Sequence, residues 1–267
     1  MRATKKHQGG ERMLKIIGMP KDELLGLCPD TLKRPGSIRL LTEEEVIYIA
    51  ETVGAFWKYN YEAAKQGRVG LHAELKSLLH SDGFFISRIL LQHPNIRTIM
   101  ADQMVMRFSQ LGIPNPRRVG GIPDGATELG KEIAELLGAK NVEMKKEDGK
   151  IVLVDSIAVD EDLLLGEDFC TRETGFIEAV LDILSKQPTV KILPYELVII
   201  NRGGLSEIEI PAEKVGSSRI VVKIVPVVNY RVNDWQPADC PLCRMGSKPI
   251  KPKATDENWR FITTSQQ

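Results

Sequence analysis

The stretch Leu163-Leu164-Leu165-Gly166-Glu167-Asp168-Phe169-Cys170-Thr171-Arg172-Glu173-Thr174-Gly175 decides how the rest of the chain is read. An apolar run leads into two adjacent acids and a hydroxyl-bearing turn. The spacing of Phe176, Ile177, Val180, Ile183 and Leu184 beyond it is that of an amphipathic helix. The order is strand, loop, helix. A helix N-terminus presents unpaired backbone N–H groups and the positive end of its dipole, so such a turn suits a phosphate. Two acids just before it suit sugar hydroxyls, or a magnesium ion beside the phosphates. The stretch therefore points to a phosphorylated sugar, with Glu173 placing a negative charge where the anion would sit.

Working outward, the same alternation continues in both directions. Arg118 to Ile122 reads as a short strand ending in a Gly-rich turn, and Thr127 to Leu137 as a helix stopped by Gly138. Ile151 to Val154, Glu196 to Ile200 and Ile220 to Val228 read as further strands. Strands alternating with helices predict a parallel α/β sheet, in which ligands bind at the carboxyl ends of the strands. The turns at 120–125 and 171–175 fall at such ends, and so does Asn201-Arg202.

Toward the N-terminus, Met1 to Gly10 reads as a polar, disordered leader. Thr42 to Glu45 forms a capping box. The apolar spacing from Val46 to Trp57 predicts a helix running to about Lys65 and stopping near Gly67. A second helix is predicted after Pro94, with Asn95 as cap and Ile96, Ile99, Met100, Met104, Val105, Phe108 and Leu111 as its buried stripe. The expected organisation is a leader and helical extension over residues 1–65, a main domain over 66–236 and a tail over 237–267. The tail is rich in Pro and Lys, lacks apolar periodicity and is expected to wrap the surface.

Bulk properties narrow the function classes. The chain has 267 residues, 42% of them hydrophobic, enough for one sizeable domain with appendages. The 36 basic and 36 acidic residues cancel, so no broad electrostatic footprint for nucleic acid or a membrane surface is present. No apolar run approaches the roughly 18 residues of a membrane span. Four cysteines in this length argue against a disulfide framework, so a cytoplasmic protein is expected.

Four segments, in order, resemble a type I phosphoribosyltransferase, specifically the orotate phosphoribosyltransferases. Glu74 to Phe85, with Lys76, Ser77 and the pair Phe84-Phe85, is similar to the family's Lys-Ser segment. Gly120 to Leu129 resembles its pyrophosphate-side loop. Glu167-Asp168 through Glu178-Ala179-Val180 resembles its signature for phosphoribosyl diphosphate (PRPP). Leu197 to Arg202 resembles a strand ending in an orotate-contacting arginine. More weakly, Cys240 to Gly246 with Lys248-Pro249 and Lys251-Pro252 is similar to the tail of some bacterial members. The resemblance covers about residues 70–252.

The resemblance implies a type I phosphoribosyltransferase-like fold: a central, mainly parallel sheet flanked by helices, with a small hood and, here, an N-terminal helical extension. It implies an enzyme in which a nitrogen of orotate displaces pyrophosphate from the anomeric carbon of PRPP, giving orotidine 5′-monophosphate for pyrimidine biosynthesis. Lys76, Asp168 and Lys146 are the implied catalytic residues. Glu167, Asp168, Thr171, Arg172, Thr174, Gly175, Asp124 and Gly125 would bind PRPP. Phe84, Phe85 and Arg202 would bind orotate. Magnesium would be held mainly through PRPP, without a protein metal cage, and a homodimer is implied.

The phosphate loop and two further segments depart from the family pattern, one of them Lys76-Ser77-Leu78-Leu79, which replaces the usual Lys-Ser-Gly. The loop is usually Thr-Thr-Gly-Gly-Ser; here Arg172 replaces a threonine and Glu173 a glycine, and Gly175 takes the place of the terminal hydroxyl. The long basic loop of many members is not recognisable. A phosphoribosyltransferase for another base, or a non-catalytic PRPP- or nucleotide-binding regulator, are the alternative readings. Cys240 and Cys243 read as a tight turn. A zinc site there would need ligands from a partner chain or remote loops, because Cys28 and Cys170 are lone and His7, His72, His80 and His93 offer no spaced pair beside the tail.

Overall fold

The structure is a computed structural model that describes residues 14–34, 37–216 and 218–267. The expected leader, Met1 to Gly10, lies outside the described residues. A six-stranded sheet forms the centre, in the order Glu207–Ile210, Ile220–Asn229, Lys191–Asn201, Asp162–Cys170, Arg118–Gly121, Lys140–Val142. All neighbours are parallel except the edge strand Glu207–Ile210, which runs antiparallel to Ile220–Asn229. The expected mainly parallel α/β sheet is thus the one formed.

Alternation along the strands sorts the core into two faces. Leu164, Leu197 and Ile199 point toward the helices Glu43–Val53, Pro94–Ser109 and Thr127–Leu137. Leu163, Leu165 and Val198 point toward the helix Thr174–Lys186 and the hairpin Met144–Glu147/Lys150–Leu153. The first face also takes in Ile16, Leu24 and Leu32, so the N-terminal segment shares the main core. No helix among the described residues is long and apolar enough to cross a membrane.

Local chemistry explains most boundaries. The capping box forms as read: Glu45 N–H donates to Thr42 Oγ1 at 3.2 Å, and Thr42 N–H donates to the Glu45 carboxylate at 3.0 Å. That helix, however, spans Glu43–Val53 rather than reaching Lys65. Gly54 takes a left-handed φ of 84° and ends it. Phe56–Lys58 then becomes a strand paired antiparallel with Gly83–Phe85, and a short helix, Tyr61–Lys65, follows. The stack of Phe56 on Phe85, 4.0 Å between centroids, is the tertiary contact that overrides the helical spacing. In the next helix, Pro94–Ser109, Asn95 does not cap; its side-chain amide instead donates to the carbonyls of Leu24 and Leu27.

A smaller four-stranded sheet, Asp234–Trp235, His80–Ser81, Leu71–Glu74, Lys248–Ile250, forms a hood over one end of the large one. The tail does more than wrap the surface. It supplies the parallel edge strand Lys248–Ile250 and the helix Asp256–Thr264, and it buries Cys240, Leu242 and Ile262 against Trp57, Tyr59 and Ala73.

The strand Arg118–Gly121 and the helix Thr127–Leu137 meet backbone to backbone. A Cβ on Gly130 would overlap the backbone of Gly121, and one on Gly121 would overlap Ala126. A helix-interior Gly→Ala change ordinarily stabilises by about 1 kcal/mol. Here Gly130→Ala is expected to lose about 2–3 kcal/mol, as overpacking against backbone does. Denaturant unfolding checks this: Gly138→Ala, in open space at a left-handed helix end, is expected to cost only about 1 kcal/mol.

Candidate active site

Three strand-end turns converge above the central sheet. After Arg118–Gly121 the chain stays tied to the central strand, because Ile122 N–H donates to Gly166 O at 2.8 Å. Pro123, Asp124 and Gly125 then turn into the helix Thr127–Leu137. After Asp162–Cys170, residues 171–173 lead into the helix Thr174–Lys186. After Lys191–Asn201, the N–H groups of Arg202 and Gly203 both donate to Cys170 O, at 2.7 and 3.1 Å. Gly203 permits that strap, since a Cβ there would strike the Thr171 backbone.

Two adjoining cavities open on these turns. The larger, about 900 Å³, is bordered by Asp124, Gly125, Lys146, Glu167 and Asp168, together with Arg88, Arg97 and the tail segment Pro252 to Asp256. The smaller, about 170 Å³, is bordered by Phe84, Phe85, Asp168, Phe169, Thr171 and Arg202. Ser87, Asp168 and Lys253 belong to both. Most of the residues singled out in the sequence are therefore gathered into one region.

Arg202 is held hardest. Its Nη2 donates to Asp234 Oδ1 at 2.7 Å and to Ser81 Oγ at 3.1 Å, while its Nε is buried without a partner. Burial presses its pKa below the ordinary arginine value, and Asp234 opposes that shift. It thus fastens the end of the large sheet to the hood and keeps its buried Nε–H unspent. Asp82 completes the hood contact by accepting from Asn233 N–H, Asn233 Nδ2 and the Tyr61 hydroxyl, each at 2.8 Å.

Phe84 and Phe85 alternate across their strand and so do different work. Phe85 stacks in the core on Phe56 and lies 5.4 Å from the Phe169 ring. Phe84 leans toward Trp259 of the tail, 6.3 Å between centroids. Lys145 and Lys146 alternate likewise on the Met144–Glu147 strand. Lys146 reaches toward Asp124 of the cleft at 3.6 Å, while Lys145 pairs with Glu147 at 2.6 Å. The Asp148-Gly149 turn closes this hairpin with both residues at positive φ, 50° and 80°.

Glu167 and Asp168 also separate, since neighbours on a strand face opposite sides. Asp168 sits beside Gly125, where a Cβ would overlap its carboxylate. Glu167 turns under the helix Thr174–Lys186 toward Glu196 of the next strand; Glu167 Oε2 and both Glu196 carboxylate oxygens are buried without other partners. Burial raises the pKa of both carboxyls well above the usual carboxylate range, and the charge of Glu196 pushes Glu167 further in the same direction. A shared proton between the two carboxylates is the arrangement this favours. Glu196 lies inside an apolar run in the sequence and gives no local sign of this role; the parallel register that sets Leu165 opposite Glu196 creates it.

The remaining expected residues lie elsewhere. Lys76 is exposed in the hairpin turn after Leu71–Glu74 and borders neither cavity. Arg172 is exposed, and Glu173 and Thr174 border a separate groove with Lys150 and Lys214. No side chain caps the helix Thr174–Lys186, whose N-cap is Glu173. Gly175 passes close to the Glu167 carboxylate, 2.9 Å from where its Cβ would be. Lys253, missed in the sequence, borders both cavities; its only local sign was the Lys251-Pro252-Lys253 run before the Thr255 cap.

No family model matches the chain. Curated relatives do. The orotate phosphoribosyltransferase of Desulforamulus reducens is 26% identical over 187 residues, which is 68% of this chain and 87% of that protein. The orotate phosphoribosyltransferase of Pelotomaculum thermopropionicum is 23% identical over 214 residues, 79% of this chain and 97% of that protein. Among solved structures, the orotate phosphoribosyltransferase from Aeropyrum pernix covers 69% of this chain and 93% of its own, with a TM-score of 0.50 and 14% identity.

The buried carboxylate pair has a consequence for stability. Because its pKa is raised on folding, the folded state binds the extra proton. Stability is full below the usual carboxylate range and falls as pH rises from there through the raised value. Glu196→Gln, which keeps the shape and removes one charge, is expected to flatten that fall. Thermal unfolding at pH 5 and pH 9 checks it: the variant should gain on the order of 1 kcal/mol over the parent at pH 9 and little at pH 5.

Proposed function

From the type I phosphoribosyltransferase fold of this chain, and its likeness to orotate phosphoribosyltransferases over two thirds of its length, we propose that it is an orotate phosphoribosyltransferase. It would convert orotate and PRPP to orotidine 5′-monophosphate and pyrophosphate, as a cytoplasmic homodimeric enzyme of pyrimidine biosynthesis. The observation that carries the reading is Arg202. A buried guanidinium at a strand end, with its Nε–H unspent, beside Phe84 and Asp168, suits a flat anionic ring bearing a carboxylate.

In this reading orotate occupies the small cavity and the pentose diphosphate the large one. Arg202 holds the orotate carboxylate while Phe84 covers the ring, which aims a ring nitrogen at the anomeric carbon. Asp168, common to both cavities, holds the ribose hydroxyls and stabilises the positive charge that develops on the sugar as the bond to pyrophosphate lengthens. Lys146 and the N–H groups around Asp124 and Gly125 receive the charge gained by the leaving pyrophosphate. Thr171, Arg172, Thr174 and Gly175 are the candidates for the 5′-phosphate, at the uncapped N-terminus of the helix Thr174–Lys186. Glu167 would support Asp168 from below, and Lys76 would have to reach the substrates from outside the two cavities.

The carboxylates bordering the large cavity, Asp124, Glu128, Glu167, Asp168 and Asp256, are hard oxygen donors, which fits magnesium held mainly by substrate oxygens and water. Asp124 and Asp168 are the carboxylates that would hold it, and its charge would offset that of the diphosphate. A regulator that binds PRPP without turnover is favoured by one feature: Arg172 and Glu173 face solvent rather than the cleft.

Orotate consumption with PRPP and magnesium tests the proposal. Arg202→Ala is expected to lower kcat/KM for orotate by about 100-fold, and Asp168→Asn by about 10- to 100-fold. Measurable PRPP binding without any orotate turnover by the parent chain would favour the regulator. Turnover of uracil, hypoxanthine or adenine in place of orotate would move the reading to another base.

A further inference from the structure

Four soft ligands from distant parts of the chain meet beneath the hood: His72, His80, Cys240 and Cys243. We propose that they form a closed structural zinc site, of Cys2His2 type, that fastens the C-terminal tail to the hood. The proposal does not depend on the reaction assigned to the cleft.

The geometry is that of a tetrahedron with its corners in place. His72 Nε2 lies 3.0 Å from His80 Nδ1, 3.7 Å from Cys240 Sγ and 3.6 Å from Cys243 Sγ, and Cys243 Sγ lies 3.3 Å from His80 Nδ1. All the ligand atoms fall within 4.8 Å of one another. Zinc–nitrogen bonds of about 2.0–2.1 Å and zinc–sulfur bonds of about 2.3 Å at tetrahedral angles put ligand atoms about 3.3–3.8 Å apart. His72 and Cys240 have no exposure, His80 has 5% and Cys243 is half-buried, so the site is largely shielded from water.

The fold builds these corners from backbone register. Glu74 pairs with His80 across the hairpin, so His72, two residues before Glu74, lies on the same face as His80. Lys248–Ile250 pairs in parallel with Leu71–Glu74, with Pro249 opposite His72, and this brings the preceding Cys240-Pro241-Leu242-Cys243 turn over the two imidazoles. The three imidazole–sulfur contacts join residues 163 to 171 apart in sequence.

The surroundings prepare the ligands. Ser247 Oγ donates to Gly70 O at 3.1 Å, so toward His72 Nδ1, 2.9 Å away, it is the acceptor. That fixes the His72 proton on Nδ1 and turns the Nε2 lone pair to the cluster, as second-shell partners of metal-bound histidines do. Cys243 N–H points at Cys240 Sγ at 3.5 Å, which holds the Cys-x-x-Cys turn with both sulfurs toward the imidazoles. Two thiolates and two imidazoles in a tetrahedron select zinc among the common ions. A two-iron cluster would place the histidine pair and the cysteine pair on separate irons, farther apart than they are here. Four protein ligands leave no open position, so the role is structural.

The staple also has a place in the architecture. Beyond it the tail runs through Lys248–Ile250 and then Pro252 to Asp256, which border the large cavity. The ion would hold the base of the wall that Lys253 and Trp259 bring to the cleft.

Elemental analysis of the purified full-length chain tests the site. The expected result is one zinc per chain, retained through dialysis and lost in Cys240→Ser and Cys243→Ser, while Cys28→Ser, at an exposed cysteine, keeps it. If the tail variants do not fold, cobalt(II) substituted into the parent chain decides: the intense visible bands of tetrahedral cobalt with a thiolate charge-transfer band support the site. Substoichiometric zinc from zinc-supplemented cells with no such cobalt bands, a Cys240–Cys243 disulfide in the purified chain, or undiminished zinc in folded Cys240→Ser/Cys243→Ser would each overturn it.

Discussion

A parallel sheet brings all its strand ends to one edge, and here the chain leaves that edge while still bonded to it. Ile122 remains tied to Gly166, and Arg202 and Gly203 remain tied to Cys170. Loop backbone so anchored cannot drift, and the side chains of Asp124, Asp168, Thr171 and Arg202 inherit fixed positions. The anchoring needs glycine at Gly121, Gly125, Gly130 and Gly203, where any Cβ would overlap a neighbour. Packing of the helix Thr127–Leu137 on the sheet and construction of the cleft floor are therefore one constraint.

Charge is placed where it is costly for folding and useful for binding. Glu167 and Glu196 lie together beneath the helix Thr174–Lys186, with carboxylate oxygens lacking partners. Arg202 gives up water for an ion pair with Asp234 and keeps its Nε unsatisfied. Such groups are disfavoured in a core built for stability alone. Glu167 borders the larger cavity and Arg202 the smaller, which is where a fold that binds charged ligands places such groups. The hood depends on one of these residues, since the Arg202–Asp234 contact ties it to the large sheet.

The legible parts of the sequence were those fixed by near neighbours. The helix Thr127–Leu137 with its Gly138 stop, the Thr42–Glu45 capping box and the strands around Leu163 to Leu165 and Glu196 to Ile200 depend on residues a few positions apart, or on apolar runs buried whichever way they pair. Phe56 and Trp57 read as helix in the sequence because their spacing after Val53 fits one; Gly54 at positive φ and the partner strand Gly83–Phe85 decide otherwise. The tail reads as a surface wrap because the three-residue edge strand, the four-residue helix Pro241–Arg244 and the nine-residue helix Asp256–Thr264 are too short for a sustained apolar period. Its burial comes from the hood it joins.

The sequence alone determined the alternation of strands and helices, the turns where ligands would gather, and a set of residues in an order resembling one enzyme family. These follow from local propensity and periodicity, which each segment carries with it. Tertiary structure alone decided which neighbours would share a face. Strand alternation parted Glu167 from Asp168 and Lys145 from Lys146, and parallel register set Glu196 beside Glu167. The pairing of Lys248–Ile250 with Leu71–Glu74 carried Cys240 and Cys243 to His72 and His80. Register is a relation between segments far apart in the chain, and no stretch read by itself contains it.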